Sequence, residues 1–217
     1  ERNPMMLVSR TPLRVSFFGG GTDYPEYFAT RRGAVLGMAI DKYVYVSALP
    51  LSNILEYRYR VSYSRIEQVR DLAELQHPVV REVIRHFQVQ QSLDISIMAD
   101  LPARSGLGSS SSFTVGFLNL ILALQGRRAT KLDLANQAAQ VERVLLGENV
   151  GVQDQHHAAF GGLNRFDFQP GRTRISPVPI SADCLDALTS SLFLVYTGVT
   201  RFASATLEEQ MEKTRAG

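Results

Sequence analysis

The stretch from Phe113 to Leu124 constrains the fold most, because it is almost wholly apolar over the length of a helix. A helix that is apolar on every side must be covered by other elements, so this stretch predicts a buried central helix. Gly126 follows closely and predicts where the helix ends. At 217 residues, the chain is long enough to bury a sizeable core around it.

Apolar periodicity predicts the other elements. Alternation predicts strands at Leu13–Phe18, Val35–Ile40, Tyr43–Ala48, Tyr57–Tyr63 and Leu93–Met98. The apolar run Leu192–Tyr196 predicts a further, buried strand. Helical spacing predicts helices at His77–Phe87, from Thr130 to about Leu146, from about Gln153, and from Ala205 to Gly217. Runs of strands followed by helices favour an α+β fold over a doubly wound sheet.

Composition excludes several classes of protein. The 23 basic and 21 acidic residues are interspersed and give a net charge of +2, which does not suggest a nucleic-acid partner. No apolar run approaches the roughly 20 residues that span a bilayer, and the N-terminus lacks a signal-peptide layout. Cys184 is the only cysteine, which excludes an internal disulfide and a thiolate zinc cluster. We therefore expect a soluble cytoplasmic protein with no membrane partner.

A glycine- and serine-rich segment, Arg104–Ser112, lies immediately before the apolar stretch. Its glycines let backbone N–H groups approach an anion, and a following helix N-terminus adds partial positive charge. Its hydroxyls suit Mg²⁺, which prefers oxygen ligands beside phosphate. The segment has neither the ending of a Walker A loop nor the G-x-G-x-x-G pattern. By spacing alone, it fits a phosphate-binding loop and a helix-capping turn about equally.

A second segment, Arg14–Tyr24, runs from a predicted strand into three glycines. The glycines allow the backbone to bend sharply and to approach a ligand closely. Thr22 and Asp23 are well placed to hydrogen-bond sugar hydroxyls. Asp23 is equally suited to cap a short helix over Tyr24–Ala29, so the segment alone does not decide between these roles.

A third segment, Gly147–Gln155, surrounds Asp154. A lone aspartate in such a loop is usually a helix cap or a solvated turn residue. His156 and His157 follow, but adjacent side chains diverge on a helix, so they do not predict a metal site.

Taken in order, these segments resemble the motifs of the GHMP kinases, the family of galactokinase, homoserine kinase and mevalonate kinase. Arg104–Ser112, with Pro102 before it, matches the phosphate-binding pattern P-x-x-x-G-L-G-S-S. Arg14–Tyr24 resembles the galactokinase signature R-V-N-L-I-G-E-H-T-D-Y without a gap. Gly151–Gln155 resembles the loop of the catalytic aspartate, and Glu142 stands where the family has a magnesium-binding glutamate.

The resemblance implies the GHMP N-terminal fold, similar to domain 2 of ribosomal protein S5, with ATP and Mg²⁺ as cofactors. Asp154 would be the base, and Arg14 beside it would neutralise developing charge. Ser110 and Glu142 would hold Mg²⁺. The residues expected to bind the phosphates of ATP are Arg104, Ser105, Gly106, Leu107, Gly108, Ser109, Ser110 and Ser111. Those expected to bind the sugar are Gly20, Gly21, Thr22, Asp23 and Gly151.

The implied substrate is a phosphorylated heptose. The form R-x-P-L-R-x-S-F-x-G-G-G-T-D, from Arg10 to Asp23, resembles heptose 7-phosphate kinases and the kinase part of bacterial fucokinases. Gly20 and Gly21 replace the Glu and His of galactokinases, which leaves room for a larger sugar. The implied reaction phosphorylates the anomeric C1 hydroxyl of D-glycero-D-manno-heptose 7-phosphate; a hexose 1-kinase for fucose or galactose and a non-catalytic sugar or nucleotide sensor are alternatives. The arginines that would supply charge for the sugar phosphate are Arg31, Arg32 and Arg104.

The resemblance also divides the chain. Residues 1–185 are expected to form the ATP-binding, catalytic N-terminal domain, and residues 186–217 to begin a ferredoxin-like C-terminal domain. Nothing after Leu163 resembles the third glycine-rich motif of the family. We therefore expect the C-terminal domain to be absent or incomplete, and a homodimer is compatible with this assignment.

Overall fold

The computed structural model describes residues 5–52, 54–103 and 105–195. Its strands are β1 (Leu7–Phe18), β2 (Gly33–Pro50), β3 (Tyr59–Ser62), β4 (Ile66–Val69), β5 (Leu93–Ala99), β6 (Leu163–Gln169) and β7 (Arg172–Pro177). Its α-helices are α1 (Pro25–Phe28), α2 (Pro78–His86), α3 (Ser109–Leu124), α4 (Lys131–Gln140), α5 (Gln153–Phe160) and α6 (Ala182–Ser190). A 3₁₀ turn spans Leu72–Glu74, and a π-helical turn spans Val141–Leu145.

The described strands form one mixed sheet around the long strand β2. β1 runs antiparallel to β2 along one side. On the other side, β6 pairs with the N-terminal part of β2, and β5 pairs with its C-terminal part. β3 and β4 extend the sheet beyond β5, and β7 extends it beyond β6. This mixed sheet combined with helices confirms the predicted α+β class.

The main core lies between the sheet and the helices. Successive side chains of a strand point to opposite faces, so alternate residues such as Val44 and Val46 enter the core. α3 packs against β1 and β2, and its Phe117, Leu118 and Ile121 are fully buried. The predicted apolar helix is confirmed, but it begins at Ser109, so the serines form its first turn.

The two strands predicted at Val35–Ile40 and Tyr43–Ala48 are parts of the single strand β2. The polar pair between them suggests a turn, but β1 pairs with β2 on both sides of it. A bulge accommodates the extra residues, because β2 residues 40–42 lie opposite Leu13 alone. The hairpin of β6 and β7, the strand β4 and the helix α6 were not predicted.

The helix predicted from Thr130 to about Leu146 is confirmed, with one irregularity at its end. The Thr130 side chain accepts a hydrogen bond from the backbone N–H of Asp133 at 3.1 Å and caps α4. The helix then widens into the π-helical turn, where the N–H of Leu146 donates to the carbonyl oxygen of Val141 at 3.0 Å. Such wide turns often occur at functional sites.

The end of the described chain differs from the prediction. Residues 192–195, predicted as a buried strand, have no regular structure and are exposed, with Phe193 at 88%. Tyr196, the last residue of that strand, and the helix from Ala205 lie outside the described residues. The expected domain boundary at residue 185 falls inside α6. The division into an N-terminal domain of residues 1–185 and a C-terminal domain from residue 186 remains a prediction. Among the described residues, no helix is both long and apolar enough to cross a membrane.

Candidate active site

Arg14 on β1 and Asp154 in the first turn of α5 form an ion pair. Arg14 Nε donates to Asp154 Oδ1 at 2.8 Å, and Nη2 lies 2.7 Å from the same oxygen. The Arg14 side chain is 13% exposed, and that of Asp154 is 24% exposed. Within the described residues, Oδ2 of Asp154 accepts no hydrogen bond, so one carboxylate oxygen remains available to a ligand.

Arg14 also joins this pair to the glycine- and serine-rich loop. Its backbone N–H donates to the carbonyl oxygen of Leu107 at 3.0 Å, and Nη1 donates to that of Gly106 at 2.6 Å. Gly106 and Gly108 have φ values of +77° and +76°, a region that favours glycine. A Cβ atom at Gly108 would lie 3.3 Å from Asp154 Oδ2. The structure therefore brings the predicted base, arginine and loop together.

The loop ends at the N-terminus of α3. The first bond of the helix joins the N–H of Ser112 to the carbonyl oxygen of Gly108 at 2.9 Å. The N–H groups of Ser109, Ser110 and Ser111 precede this ladder, and such groups together with the helix dipole attract anions. Of the remaining predicted phosphate ligands, Ser105 is partly exposed, and Arg104 lies outside the described residues.

Glu142, in the π-helical turn, is 1% exposed and faces the first turn of α3. Its Oε2 accepts a hydrogen bond from Ser111 Oγ at 2.9 Å and another from Gln155 Nε2. Burial raises the pKa of Glu142 to about 7, although the hydrogen bonds from Ser111 and Gln155 oppose the shift. Ser110, the serine predicted to share the metal with Glu142, is exposed, whereas Ser111 is the one that contacts Glu142.

These residues fit a divalent cation next to bound phosphate. Glu142 Oε1 is buried and has no hydrogen-bond partner among the described residues, so the carboxylate has an unused oxygen ligand. A cation there would also favour the ionised form of Glu142. The described residues contain no cluster of three His, Cys, Asp or Glu side chains, so phosphate oxygens and hydroxyls would have to complete the coordination.

The second glycine segment, residues 19–21, is held against the start of β2 by hydrogen bonds and close packing. Gly19 has φ of +91°, and a Cβ atom there would overlap the carbonyl oxygen of Ala34. Thr22 Oγ1 lies 2.8 Å from the carbonyl oxygen of Gly19 and 3.0 Å from that of Ala34, which share its single proton, and it accepts from the N–H of Ala34 at 3.0 Å. The Thr22 hydroxyl therefore holds the backbone, and its proton is already used within the protein.

Asp23 holds the same segment to the start of α5. It is 1% exposed, and its carboxylate accepts from the N–H of Gly21 at 3.1 Å and from the N–H of Gln153 at 3.0 Å. Burial raises the pKa of Asp23, while the backbone hydrogen bond from Gln153 opposes the shift. A Cβ atom at Gly151 would overlap the Asp23 carboxylate, which explains that glycine. Direct sugar binding by Asp23 therefore remains a prediction that its burial does not favour.

Other predicted residues lie apart from this cluster. Arg32 Nη2 lies 2.8 Å from the side-chain amide of Gln169, at the end of β6, and Arg31 is exposed. His156 Nδ1 lies 2.7 Å from the carbonyl oxygen of Val152, and His157 packs against the ring of Phe166. The two histidine rings therefore contact different neighbours.

Three residues of the site were not predicted. Gln153 bonds Asp23 and Ser16, and Gln155 bonds the buried Glu142. Gln153 and Gln155 flank Asp154 in the sequence. This pair of amide side chains next to the predicted base was the feature from which their place in the site could have been predicted. Ser16 alternates with Arg14 on β1, and only the strand register shows that both face α5.

Comparison with known proteins shows which proteins this arrangement resembles. Residues 74–162 match the family described as the GHMP kinases N terminal domain. The described residues have the fold of the GHMP kinase N-terminal domain. The matched residues include the glycine- and serine-rich loop, Glu142 and Asp154.

Individual relatives are sugar kinases. The chain is 27% identical over 217 residues to a D-glycero-alpha-D-manno-heptose 7-phosphate kinase of Campylobacter jejuni, covering 95% of this chain and 64% of the relative. It is 26% identical to a bifunctional fucokinase/GDP-fucose pyrophosphorylase of Arabidopsis thaliana, covering 95% of this chain and 21% of the relative. The crystal structure of a D-glycero-D-manno-heptose 1-phosphate kinase from Bacteriodes thetaiotaomicron superposes with a TM-score of 0.80 at 26% identity, covering 98% of this chain and 71% of that one. The chain thus spans less than two thirds of these two curated relatives.

Proposed function

We propose that this chain is the catalytic N-terminal part of an ATP-dependent kinase that phosphorylates a sugar hydroxyl. The Arg14–Asp154 pair carries the proposal, because it lies directly against the loop that precedes α3. A general base within reach of a phosphate-binding helix N-terminus is the arrangement that phosphoryl transfer to an alcohol requires.

In the proposed reaction, Asp154 Oδ2 accepts the proton of the acceptor hydroxyl. The hydroxyl oxygen forms a bond to the γ-phosphorus of ATP, while the bond from that phosphorus to the β–γ bridging oxygen breaks and ADP leaves. Arg14 holds Asp154 through Oδ1 and places positive charge beside the reacting atoms. The N–H groups of Ser109–Ser111 orient the phosphates of ATP.

Mg²⁺ would bind between Glu142 and the phosphates, with Ser110 or Ser111 supplying a hydroxyl. When bound, the ion neutralises phosphate charge during the transfer. Support comes from the buried Glu142 Oε1 without a partner and from the hydroxyl of Ser111 beside the same carboxylate.

For the acceptor, we propose the anomeric C1 hydroxyl of D-glycero-D-manno-heptose 7-phosphate. Two relatives are named for heptose phosphates, although one is named a 7-phosphate kinase and the other a 1-phosphate kinase. A Cβ atom at Gly21 would meet nothing within 4 Å, so the segment leaves open space for a large sugar. A fucose or galactose 1-kinase is the second candidate, because a fucokinase is among the relatives.

The base is tested by Asp154→Asn in the full-length protein. We expect ADP release with heptose 7-phosphate to fall by about 10²–10⁴-fold, because the acceptor loses its proton acceptor while ATP binding remains. Calorimetric titration with ATP checks that binding remains. Asp183→Asn is the matched control, since Asp183 is exposed on α6. Unchanged turnover in Asp154→Asn would rule out this base.

The acceptor is tested by thermal-shift titration of the full-length protein with heptose 7-phosphate, galactose and fucose. We expect heptose 7-phosphate to raise the melting temperature most, because binding to the native state alone stabilises it. Selective stabilisation by a free hexose would replace the heptose proposal by the hexose 1-kinase. Binding of a sugar without any ADP release would instead favour a sensor.

A further inference from the structure

Gln153 is the first residue of α5 and precedes the proposed base directly. Its side-chain oxygen accepts a hydrogen bond from Ser16 Oγ at 2.8 Å, and its Nε2 donates to Asp23 Oδ1 at 3.2 Å. Its backbone N–H donates to Asp23 Oδ2 at 3.0 Å. Both ends of the amide are therefore fixed, although the residue is only partly buried.

The orientation of this amide follows from its partners. The Asp23 carboxylate already accepts N–H bonds from the backbones of Gly21 and Gln153, so it presents acceptor oxygens to the amide nitrogen. The nitrogen of Gln153 must then face Asp23, and its oxygen must face Ser16. A primary amide has two N–H donors and two acceptor lone pairs. One donor and one lone pair of Gln153 thus have no partner among the described residues.

The glycine segment leaves space beside these unused groups. A Cβ atom at Gly20 would lie 3.7 Å from Gln153 Nε2, which is an ordinary contact, and one at Gly21 would meet nothing within 4 Å. With glycine at both positions, no side chain covers the amide from this segment. Asp154 follows Gln153 in sequence, so the amide and the proposed base project from the same first turn of α5.

We propose that Gln153 determines acceptor specificity by hydrogen-bonding a hydroxyl of the sugar close to the hydroxyl that Asp154 deprotonates. This inference rests on the proposed function, because it places the sugar between residues 20–21 and α5. The amide donates to one sugar oxygen and accepts from one sugar hydroxyl, which selects a polyol with neighbouring hydroxyls. Ser16 acts through Gln153 and is a positioning residue, and Asp23 supports the amide from the buried side.

The experiment compares Gln153→Met with the wild type in the full-length protein. Methionine keeps the length of the side chain and removes both polar groups. Calorimetry with heptose 7-phosphate, galactose and fucose, each without ATP, measures acceptor binding directly. We expect the affinity for the best acceptor to fall by about ten- to a hundredfold, because both hydrogen bonds of the amide to the sugar are lost. The ATP affinity should stay unchanged, and the acceptor KM should rise by the factor found in calorimetry.

Two further variants separate recognition from folding. Ser16→Ala frees one end of the amide and leaves the bond to Asp23 intact, so we expect a smaller loss of acceptor affinity in the same direction. Gln68→Met is the matched control on β4, where the side chain is exposed, and should behave as the wild type. Melting temperatures report the fold of each variant; if Gln153→Met does not fold, Ser16→Ala alone decides the inference.

The outcomes distinguish this inference from the proposed function. Wild-type acceptor affinity in Gln153→Met, or an equal loss of acceptor and ATP affinity, overturns the role of Gln153. Acceptor binding by the wild type without phosphoryl transfer overturns the kinase proposal. The ratio of the acceptor affinities of the wild type and Gln153→Met still decides the role of Gln153. Absence of wild-type binding to all three sugars overturns this acceptor class and the inference with it.

Discussion

The two glycine-containing loops of this molecule use the same residue type for opposite purposes. Around Gly19, glycine is required by the protein itself, because a side chain would overlap the Ala34 carbonyl. At Gly106 a Cβ atom would meet nothing within 4 Å, and the loop is held by Arg14. The first loop is packed inward, and the second is open outward. Glycine content alone therefore does not distinguish the two loops, whereas the space around each glycine does.

This contrast predicts that stability depends on the loop at Gly19 and that nucleotide binding depends on the loop at Gly106. Substitutions in the first loop should change the free energy of unfolding. Substitutions in the second should mainly change the affinity for ATP. The loop substitutions below test this division, and an acid titration of His157 on α5 is placed among them by size, from the largest expected effect to the smallest.

The largest effect is expected for Gly19→Ala. The added methyl group would overlap a backbone carbonyl at a φ of +91°, so we expect a loss of about 3 kcal/mol or more in the free energy of unfolding. Urea denaturation measures it. Gly21→Ala is a close control, because Gly21 has φ of +94° but open space, and should lose about 1 kcal/mol. Equal losses in the two variants would contradict the packing argument.

Acid should lower the free energy of unfolding through the buried His157. Burial, reinforced by the nearby Arg14, lowers the pKa of His157 to about 3, so the unfolded chain binds the proton first as the pH falls. The contribution of His157 is complete above its ordinary pKa of 6.5 and is lost as the pH falls towards 3. Between pH 6.5 and 4.5 we expect a loss of roughly 2 kcal/mol.

Urea denaturation across this pH range checks the expectation. His157→Gln cannot titrate there and should show a shallower dependence on pH. His86→Gln, which changes an exposed histidine at the end of α2, is the control and should keep the wild-type slope. A wild-type slope in His157→Gln would mean that other groups cause the acid sensitivity.

An intermediate effect is expected for Thr22→Val. Valine keeps the shape and removes the hydroxyl, which leaves the N–H of Ala34 without its partner. We expect a loss of about 1–2 kcal/mol in the free energy of unfolding, measured by urea denaturation. Thr30→Val removes an exposed hydroxyl that makes a 3.4 Å bond to Tyr27, and it should have little effect. An unchanged free energy of unfolding in Thr22→Val would show that the hydroxyl does not stabilise this loop.

The smallest change in stability is expected for Gly106→Ala. The residue has φ of +77° in open space, so the cost should be about 1 kcal/mol. Affinity for ATP, measured by calorimetry, should fall about tenfold, because the methyl group occupies space needed for close approach of phosphate. Gly126→Ala has a similar φ of +70° and similar space at the other end of α3. It should match the loss of stability and leave ATP affinity intact.

The sequence could predict the parts of the site that lie in continuous motifs. The loop before α3, Arg14 and Asp154 were found because each belongs to a short segment whose order along the chain resembles a family. The sequence analysis expects Ser110 beside Glu142, whereas Ser111 is the serine that contacts it. Which serine does so depends on where α3 begins, and a start at Ser109 turns Ser111 towards Glu142.

Long-range packing explains the remaining differences. Asp23 and Thr22 look like ligands in a polar loop, but tertiary contacts bury Asp23 and use the Thr22 hydroxyl inside the protein. The polar residues 41 and 42 suggest a turn, and pairing with β1 overrides that local preference. The apolar residues 192–195 predict a buried strand, yet no described element covers them. For Asp23 the partner Gln153 is distant in sequence, and for residues 192–195 no described element packs on them, so the local pattern could not predict either outcome.

The π-helical turn at Val141–Leu145 changes the direction in which the side chains after it point. An α-helix advances about 100° per residue, so one additional residue in a turn rotates everything after it by that amount. Around this turn, Glu142 points inward to Ser111, while the adjacent Arg143 reaches outward to Glu26 of α1 at 2.5 Å. Two neighbouring side chains of this turn thereby contact the first turn of α3 and helix α1. Deleting one residue here would restore a regular α-helix. Only one of the two side chains, Glu142 or Arg143, would then still reach its partner.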